Sequence, residues 1–475
     1  MKSLKLLPGF LFLLSYITTD LVASCTTSDC PSSSDFIQLR NEPYFIDKTD
    51  FIKHFFEDDW HSYTFISTPR GFCKTTNLQM IQLFAGIELD ENRNIKDPAD
   101  TKAYETFENL TIFDNTQIVN DHLAKYVIIH LDLKSDTLFS KYTNETAVQF
   151  LGYKLYKIFE PYKWLLDLPQ DELLKRERYR GFLILEEDIN FMTNLSSQVP
   201  CDEQEIISSL HRIAYILMVY FQREVIILVD NYDSVLSQSN SITKEGVLDF
   251  YGIIGEMIRK ALTQPVTVYG LVTSVSGLIL PKIRKTINRA THYRFLGEHR
   301  LNEYFGFTET DVTDLITRYD LPQARVSELN SVYGGYQSVD DLTLFHPESI
   351  VKYVQDSEAN QNYRMNWRLS DEDNFVKSVL RDRLLRQILE NVVDKLTCRF
   401  TYAECYEDYE DLESFFDIRL PIQFDKMYQD ISLSYIHDHG YLTWTRVQDE
   451  FIAPNSQARY SLRKILESFA YGPVF

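Results

Sequence analysis

Two short stretches of this sequence carry residue types suited to handling a phosphate. The first is Thr68-Pro-Arg70-Gly71-Phe-Cys73-Lys74-Thr75, which places Pro, Gly, Lys and Thr directly after an apolar run. A strand that enters a tight loop aims backbone N–H groups at an anion. The helix that follows adds the positive end of its dipole. Lys74, just inside that helix, can reach the terminal phosphates of ATP, and Thr75 beside it is placed to hold Mg2+. An ordinary strand-to-helix loop with a surface lysine is the competing explanation. The second stretch is Val225-Ile-Ile-Leu-Val229-Asp230-Asn231-Tyr232-Asp233. An apolar strand ending in Asp230 suits a carboxylate that orients magnesium beside a phosphate loop. An Asp that caps the next turn has the same pattern.

These groups need a scaffold that brings them to one edge. Tyr63–Ser67 is aromatic and β-branched and is expected to be a buried strand. A helix follows from Thr75 to about Ile87. Further strands are expected at Tyr126–Leu133, Val225–Val229 and Val266–Val272, with a fifth at Tyr293–Leu296. Helical periods cover about Phe51–Asp58, residues 146–160, Glu203–Phe221 and Lys244–Leu262. Strands alternating with helices imply a mostly parallel sheet covered on both faces. Thr273 follows the fourth strand, where a hydroxyl can meet a terminal phosphate. From about Leu301 the pattern turns helical.

With both stretches in this order, the sequence resembles the AAA-ATPase-like family, whose P-loop domain stands beside predicted nuclease domains in many bacterial proteins. The likeness spans about residues 40 to 465. Tyr44-Phe-Ile-Asp47-Lys48-Thr49 resembles its opening "VDKT" segment. Thr68 to Leu78 resembles its loop "RPRRFGKTLNL", and Val229 to Asp233 its "IDEYD". Thr273-Ser-Val-Ser276 is similar to "TGIS", and Tyr304-Phe-Gly-Phe-Thr-Glu309 to "FGFTEEE". Tyr333-Gly-Gly-Tyr336 with Phe345-His-Pro-Glu-Ser349 is similar to "YNGY…NPWS". Gly440-Tyr-Leu-Thr443 with Ile452-Ala-Pro-Asn455 is similar to the closing "GYLT…IPN". The resemblance implies an α/β fold: an AAA-like P-loop NTPase αβα domain with a parallel sheet, then a helical lid and a helical C-terminal region. It implies phosphate contact for Lys74, magnesium for Thr75 and Asp230, and a sensing role for Thr273. Arg70, Gly71 and Cys73 complete the nucleotide loop. The chain stops soon after the closing motif, so nuclease activity is not implied.

Three departures fall on the chemistry. Cys73 stands where the family has Gly, and its Cβ is expected to crowd an approaching phosphate. Gly71 replaces a second Arg and removes a positive charge. Asn231 replaces the Glu that polarises the attacking water. An amide can orient a water but cannot act as its base, a loss worth about 10² to 10⁴ in rate.

Composition sets the compartment. Lys2 and Lys5 precede a short apolar run, Leu6–Ile17, and Val22-Ala-Ser24 offers a cleavage site before Cys25. The run is shorter than the roughly 20 residues of a membrane span. A signal anchor is the alternative. Sequons stand at Asn109, Asn144 and Asn194. Six cysteines (Cys25, Cys30, Cys73, Cys201, Cys398 and Cys405) permit disulfides without choosing a pairing. The net charge of −21 opposes general nucleic-acid binding. The acidic, Tyr-rich stretch 398–416 suits a solvated surface. Arg364 and Arg368 lie where a lid arginine can sit, but suit surface salt bridges as well.

The expected organisation is a signal peptide over 1–24, a flexible leader over 25–40, the P-loop domain over 41–300, a lid over 301–370 and a C-terminal region over 371–475. The expected protein is secreted, with no transmembrane segment after cleavage. It is a pseudo-ATPase or weak nucleotide binder that acts on a protein partner. The alternative is a working magnesium-dependent ATPase with an atypical loop.

Overall fold

The computed structural model describes residues 36–57, 63–134, 143–199, 202–234, 244–263, 265–277, 287, 290–297, 301–358, 376, 379–380, 382–402 and 426–470. Five strands form its central sheet: β1 (Tyr63–Ser67), β2 (Val127–Asp132), β3 (Val225–Asp230), β4 (Thr267–Ser274) and β5 (Ala290–Arg294). Their spatial order is β2-β3-β4-β1-β5, and every neighbouring pair is parallel. All six residues of β3 are buried, as a strand covered on both faces must be. Its side chains alternate between two cores. Ile227 and Val229 pack with Ile129, Leu131 and Val272 on one face. Ile226 and Leu228 pack with Ile66 and Leu271 on the other.

Short helices α1 (Phe36–Arg40) and α2 (Asp50–Glu57) precede the sheet. Next, α3 (Lys74–Ala85) packs Leu78, Ile81 and Phe84 against the second face. The first face is covered by α4 (Asn144–Phe159), α5 (Glu203–Phe221) and α6 (Lys244–Ala261). A capping box starts α5: Asp202 accepts from the Glu205 N–H at 2.8 Å and Glu205 accepts from the Asp202 N–H at 3.1 Å. Leu210, Ile213 and Leu217 then anchor it in the core. Each such side chain contributes about 1.5–3 kcal/mol when fully buried.

Beyond the sheet the described chain is mostly helical, with α7 (Glu309–Arg318), α8 (Pro347–Glu358), α9 (Lys426–Asp438) and α10 (Ser456–Ala470). Two small antiparallel sheets are additions that periodicity did not reveal. One pairs β6 (Tyr336–Gln337) with β7 (Thr343–Leu344). The other orders β8 (Cys398–Arg399), β9 (Thr443–Trp444) and β10 (Glu450–Ile452) as β8-β10-β9. Ile431, Leu433 and Tyr435 of α9 share one core with the central sheet.

Two expectations need correction. The leader is not flexible to residue 40: α1 docks because Phe36 is buried and stacks on Phe107, centroids 5.4 Å apart. Arg40 adds a hydrogen bond to the carbonyl of Thr106 at 2.8 Å. The fifth strand also begins and ends earlier than expected. Phe295 and Leu296 leave the sheet as a buried turn and join Phe72 and Tyr336 in a separate cluster. Among the described residues no helix is long and apolar enough to cross a membrane.

Candidate functional site

The loop after β1 leaves the sheet between two strands, with the Thr68 N–H still donating to Ser274 of β4 at 3.1 Å. Gly71 (φ 72°) and Cys73 (φ 48°) then adopt left-handed backbone on either side of Phe72. Left-handed residues spaced along a turn swing successive N–H groups to one side, forming a concavity that suits an anion. The loop carbonyls are occupied elsewhere. Lys74 Nζ donates to Thr68 O at 2.6 Å and Pro69 O at 2.7 Å. His346 Nδ1 accepts from the Ser349 N–H, which leaves Nε2 protonated to donate to Arg70 O at 3.0 Å. The Glu348 N–H reaches Gly71 O at 3.4 Å. The N–H groups of Gly71, Phe72, Cys73, Lys74 and Thr75 donate to no acceptor among the described residues. These five N–H groups are available to an anion, with the dipole of α3 behind them.

Cys73 takes a left-handed backbone that glycine enters without strain, at about 1–2 kcal/mol for a side chain. The loop therefore keeps its shape despite the Cβ. Gly71 is more than a lost charge. A Cβ there would lie 2.3 Å from His346 Cε1 and 2.7 Å from Glu348 Oε2. Burial pushes the Cys73 thiol up to about 12. Burial also lowers the Lys74 ammonium to about 8, against the opposing pull of Asp233 and Asp230. Lys74 keeps one of its three donors for a ligand.

The residues expected to organise magnesium meet. Asp230 accepts from Thr75 Oγ1 at 2.6 Å, from Thr273 Oγ1 at 2.5 Å and from the Asn231 N–H at 2.9 Å. The sheet places them, since Thr273 of β4 lies beside Ile66 of β1 and Asp230 of β3 beside Asp132 of β2. Magnesium takes one or two protein oxygens together with water and phosphate oxygens. The Thr75 hydroxyl and the Asp230 carboxylate fit that pattern. Asn231 does not join the group. Its backbone is left-handed (φ 57°), and its amide donates to Asp132 at 2.9 Å.

Other residues, several of them in the quoted motifs, make contacts that the sequence did not assign. Asp233 accepts from the N–H groups of Val275 (3.0 Å) and Ser276 (2.7 Å). From the other side, Asp438 accepts from Ser276 Oγ and the Gly277 N–H, both at 3.0 Å, and from Tyr402 at 2.6 Å. Two buried carboxylates thus hold the segment that follows Thr273. Phe72 packs among Phe295, Tyr336 and His346 at 4.9–5.2 Å. A Cβ at Gly440 (φ 80°) would lie 3.2 Å from Pro69, and one at Gly335 would strike Pro454 O at 2.3 Å. The motif fragments scattered along the sequence therefore interlock around the loop. Lys48 joins them by pairing with Asp311 at 2.6 Å. The motif spacing was the available signal, and only the fold assigns contacts to it.

The remaining expected positions divide in two. Asn109 and Asn194 are exposed, and Asn144 opens α4. Cys73 and the buried Cys398 carry free thiols. The signal peptide, Cys25, Cys30, Cys201, Cys405, Arg364, Arg368 and the acidic stretch from residue 403 lie outside the described residues.

Comparison with known proteins adds one strong match. Residues 32–276 match the model of the AAA-ATPase-like family, described as "Predicted AAA-ATPase". No curated protein matches the chain. Among solved structures, the Aeropyrum pernix ORC2 protein in its ADPNP–ADP complexes is similar at 10% identity. The alignment covers 92% of this chain and 98% of that one, with a TM-score of 0.34. The ADP form of ORC2 gives 10% identity, 89% and 93% coverage and a TM-score of 0.30. Likeness at that level carries neither activity nor ligand across. The family match covers more than half of the sequence and includes both the phosphate loop and Asp230, so the chain belongs to the AAA-ATPase-like family.

Proposed function

We propose that this chain is a secreted nucleotide binder of weak affinity that does not turn ATP over effectively: a pseudo-ATPase that acts by engaging a protein partner. The observation that carries this is the tie between Asn231 and Asp132, which leaves no base on the residue after Asp230. The intact cradle from Gly71 to Thr75 supports retained phosphate contact. Export is supported by the apolar N-terminal run and three sequons, two of them on exposed asparagines. Extracellular ATP is scarce, which also favours a binding role.

The second reading is a magnesium-dependent ATPase, favoured by the Thr75–Asp230–Thr273 cluster. One paired experiment separates them: equilibrium binding of a fluorescent ATP analogue, and phosphate release at saturating Mg-ATP, on the same preparation. Binding without release is the expected result. Release that Asp230→Ala abolishes would establish the second reading, and absence of binding would leave only the scaffold. Export is tested by sequencing the N-terminus of protein recovered from the medium, expected to begin at Cys25.

A further inference from the structure

A second cleft opens at the edge of the sheet opposite the phosphate loop, beneath the end of α5. Its volume is about 690 Å³, within the range of about 300–1,000 Å³ typical of small-molecule sites. Two arginines line it in the same way. The Arg93 guanidinium lies 4.5 Å from the ring centre of Trp164, and that of Arg176 lies 4.0 Å from the ring centre of Tyr220. The two rings meet edge to face at 5.6 Å. Arg176 is fixed further by donating Nε to Tyr220 O at 3.0 Å.

The placement of Arg93 is specific. Asp90 accepts from the N–H groups of Asn92 (2.9 Å) and Asn94 (2.7 Å), and Arg93 sits at that turn in left-handed backbone (φ 66°). The turn thereby directs a cation onto a ring 71 positions away in sequence. Glu91 and Glu172 line the same cleft, yet neither arginine forms an ion pair with a described carboxylate. Each guanidinium lies over a ring, and the donors that Arg176 does not spend on Tyr220 and those of Arg93 can meet a ligand, the fork matching carboxylate, sulfate or phosphate oxygens. A bare anion would find the two glutamates repulsive. A ligand that also offers hydroxyl donors would satisfy all four charged groups.

We propose that this cleft binds a small hydroxyl-rich oxyanion of the sugar phosphate or sugar sulfate class, with Arg93 and Arg176 on the oxyanion and Glu91 and Glu172 accepting from hydroxyls. Trp164 and Tyr220 form the wall behind the arginines. The site is independent of the nucleotide loop.

The test is a tryptophan-fluorescence titration of the full secreted protein with glucose 6-phosphate, glucose 6-sulfate, glucose and inorganic phosphate. Both anionic sugars are expected to give a saturable change; the tighter of the two identifies the preferred oxyanion. Glucose and inorganic phosphate should bind at least about tenfold more weakly, because each satisfies only half of the charged groups. Arg93→Ala and Arg176→Ala should each weaken binding about tenfold, Trp164→Phe should remove the signal, and Lys74→Ala should change nothing. Arg93→Lys keeps the charge but not the fork, so it should fold normally and still bind more weakly. No saturable change with either anionic sugar would overturn the proposal. So would a change that survives the Arg93→Ala/Arg176→Ala pair, or one that Lys74→Ala abolishes, which belongs to the phosphate loop.

Discussion

The side-chain amide of Asn231 donates to Asp132 at 2.9 Å, tying the residue that follows the strand carboxylate to the neighbouring strand. A carboxylate at this position could take the proton of the attacking water, whereas an amide can only orient that water. Asn231→Glu is therefore expected to raise phosphate release from Mg-ATP by at least about tenfold over wild type, with about 10² to 10⁴ as the full worth of a base. Adding Asp230→Ala should return it to background. The left-handed backbone at this position suits Asn better than Glu, so the gain should come with a stability loss of about 1 kcal/mol.

Lys74 gives a stability dependence of unusual sign. Burial lowers its ammonium to about 8 from an ordinary 10.5. Below pH 8 the group is charged in the folded and unfolded states alike, and folding bears the desolvation cost. Between about pH 8 and 10.5 the folded protein has released the proton while the unfolded chain still holds it, so stability rises with pH. Lys74→Met should be more stable than wild type at pH 7, by roughly 2–3 kcal/mol, and the difference should shrink as pH approaches 10. Urea denaturation of both proteins at the two pH values measures it.

Gly71 is the residue against which His346 and Glu348 pack. Gly71→Ala would set its Cβ 2.3 Å from the His346 ring in a left-handed backbone. A loss of about 2–3 kcal/mol is expected in thermal denaturation. Adding His346→Ala should relieve the contact with the His346 ring but not that with Glu348 or the backbone strain, so the double variant should stay less stable than His346→Ala alone.

Cys73 carries strain that glycine would relieve. Cys73→Gly should remove about 1–2 kcal/mol of left-handed cost and add about 0.5–1 kcal/mol of chain entropy. Stability should change little while affinity for an ATP analogue rises, because the Cβ beside the cradle is gone. In the wild type the Cys73 thiol, pushed up to about 12 by desolvation although the residue is only half-buried, should react more slowly with a thiol reagent than it does in the unfolded chain.

The parallel sheet was legible because β1, β2, β3 and β4 are short runs rich in apolar and β-branched residues between helical segments, and α5 was legible through the apolar period from Ile206 to Val219. The meeting of Thr75, Asp230 and Thr273 followed from placing those strands side by side. Phe295 and Leu296 misled because an apolar residue reads as strand whether it packs in the sheet or under another layer. The roles of His346, Asp438 and Gly440 were hidden for a related reason. Each acts across more than 150 residues of sequence, and no local pattern encodes the partner. Gly71 read as a missing charge because a close approach is visible only when the approaching side chain is in place.

The most direct test of the proposed nucleotide site is the melting temperature of the protein with and without magnesium and a slowly hydrolysed ATP analogue. A ligand that binds only the folded state raises stability by about 2.7 kcal/mol at a hundredfold excess over its dissociation constant. The expected result is a clear upward shift in the wild type at millimolar analogue, absent in Lys74→Ala. No shift in the wild type, or an equal shift in Lys74→Ala, would contradict phosphate recognition by the Gly71–Thr75 cradle.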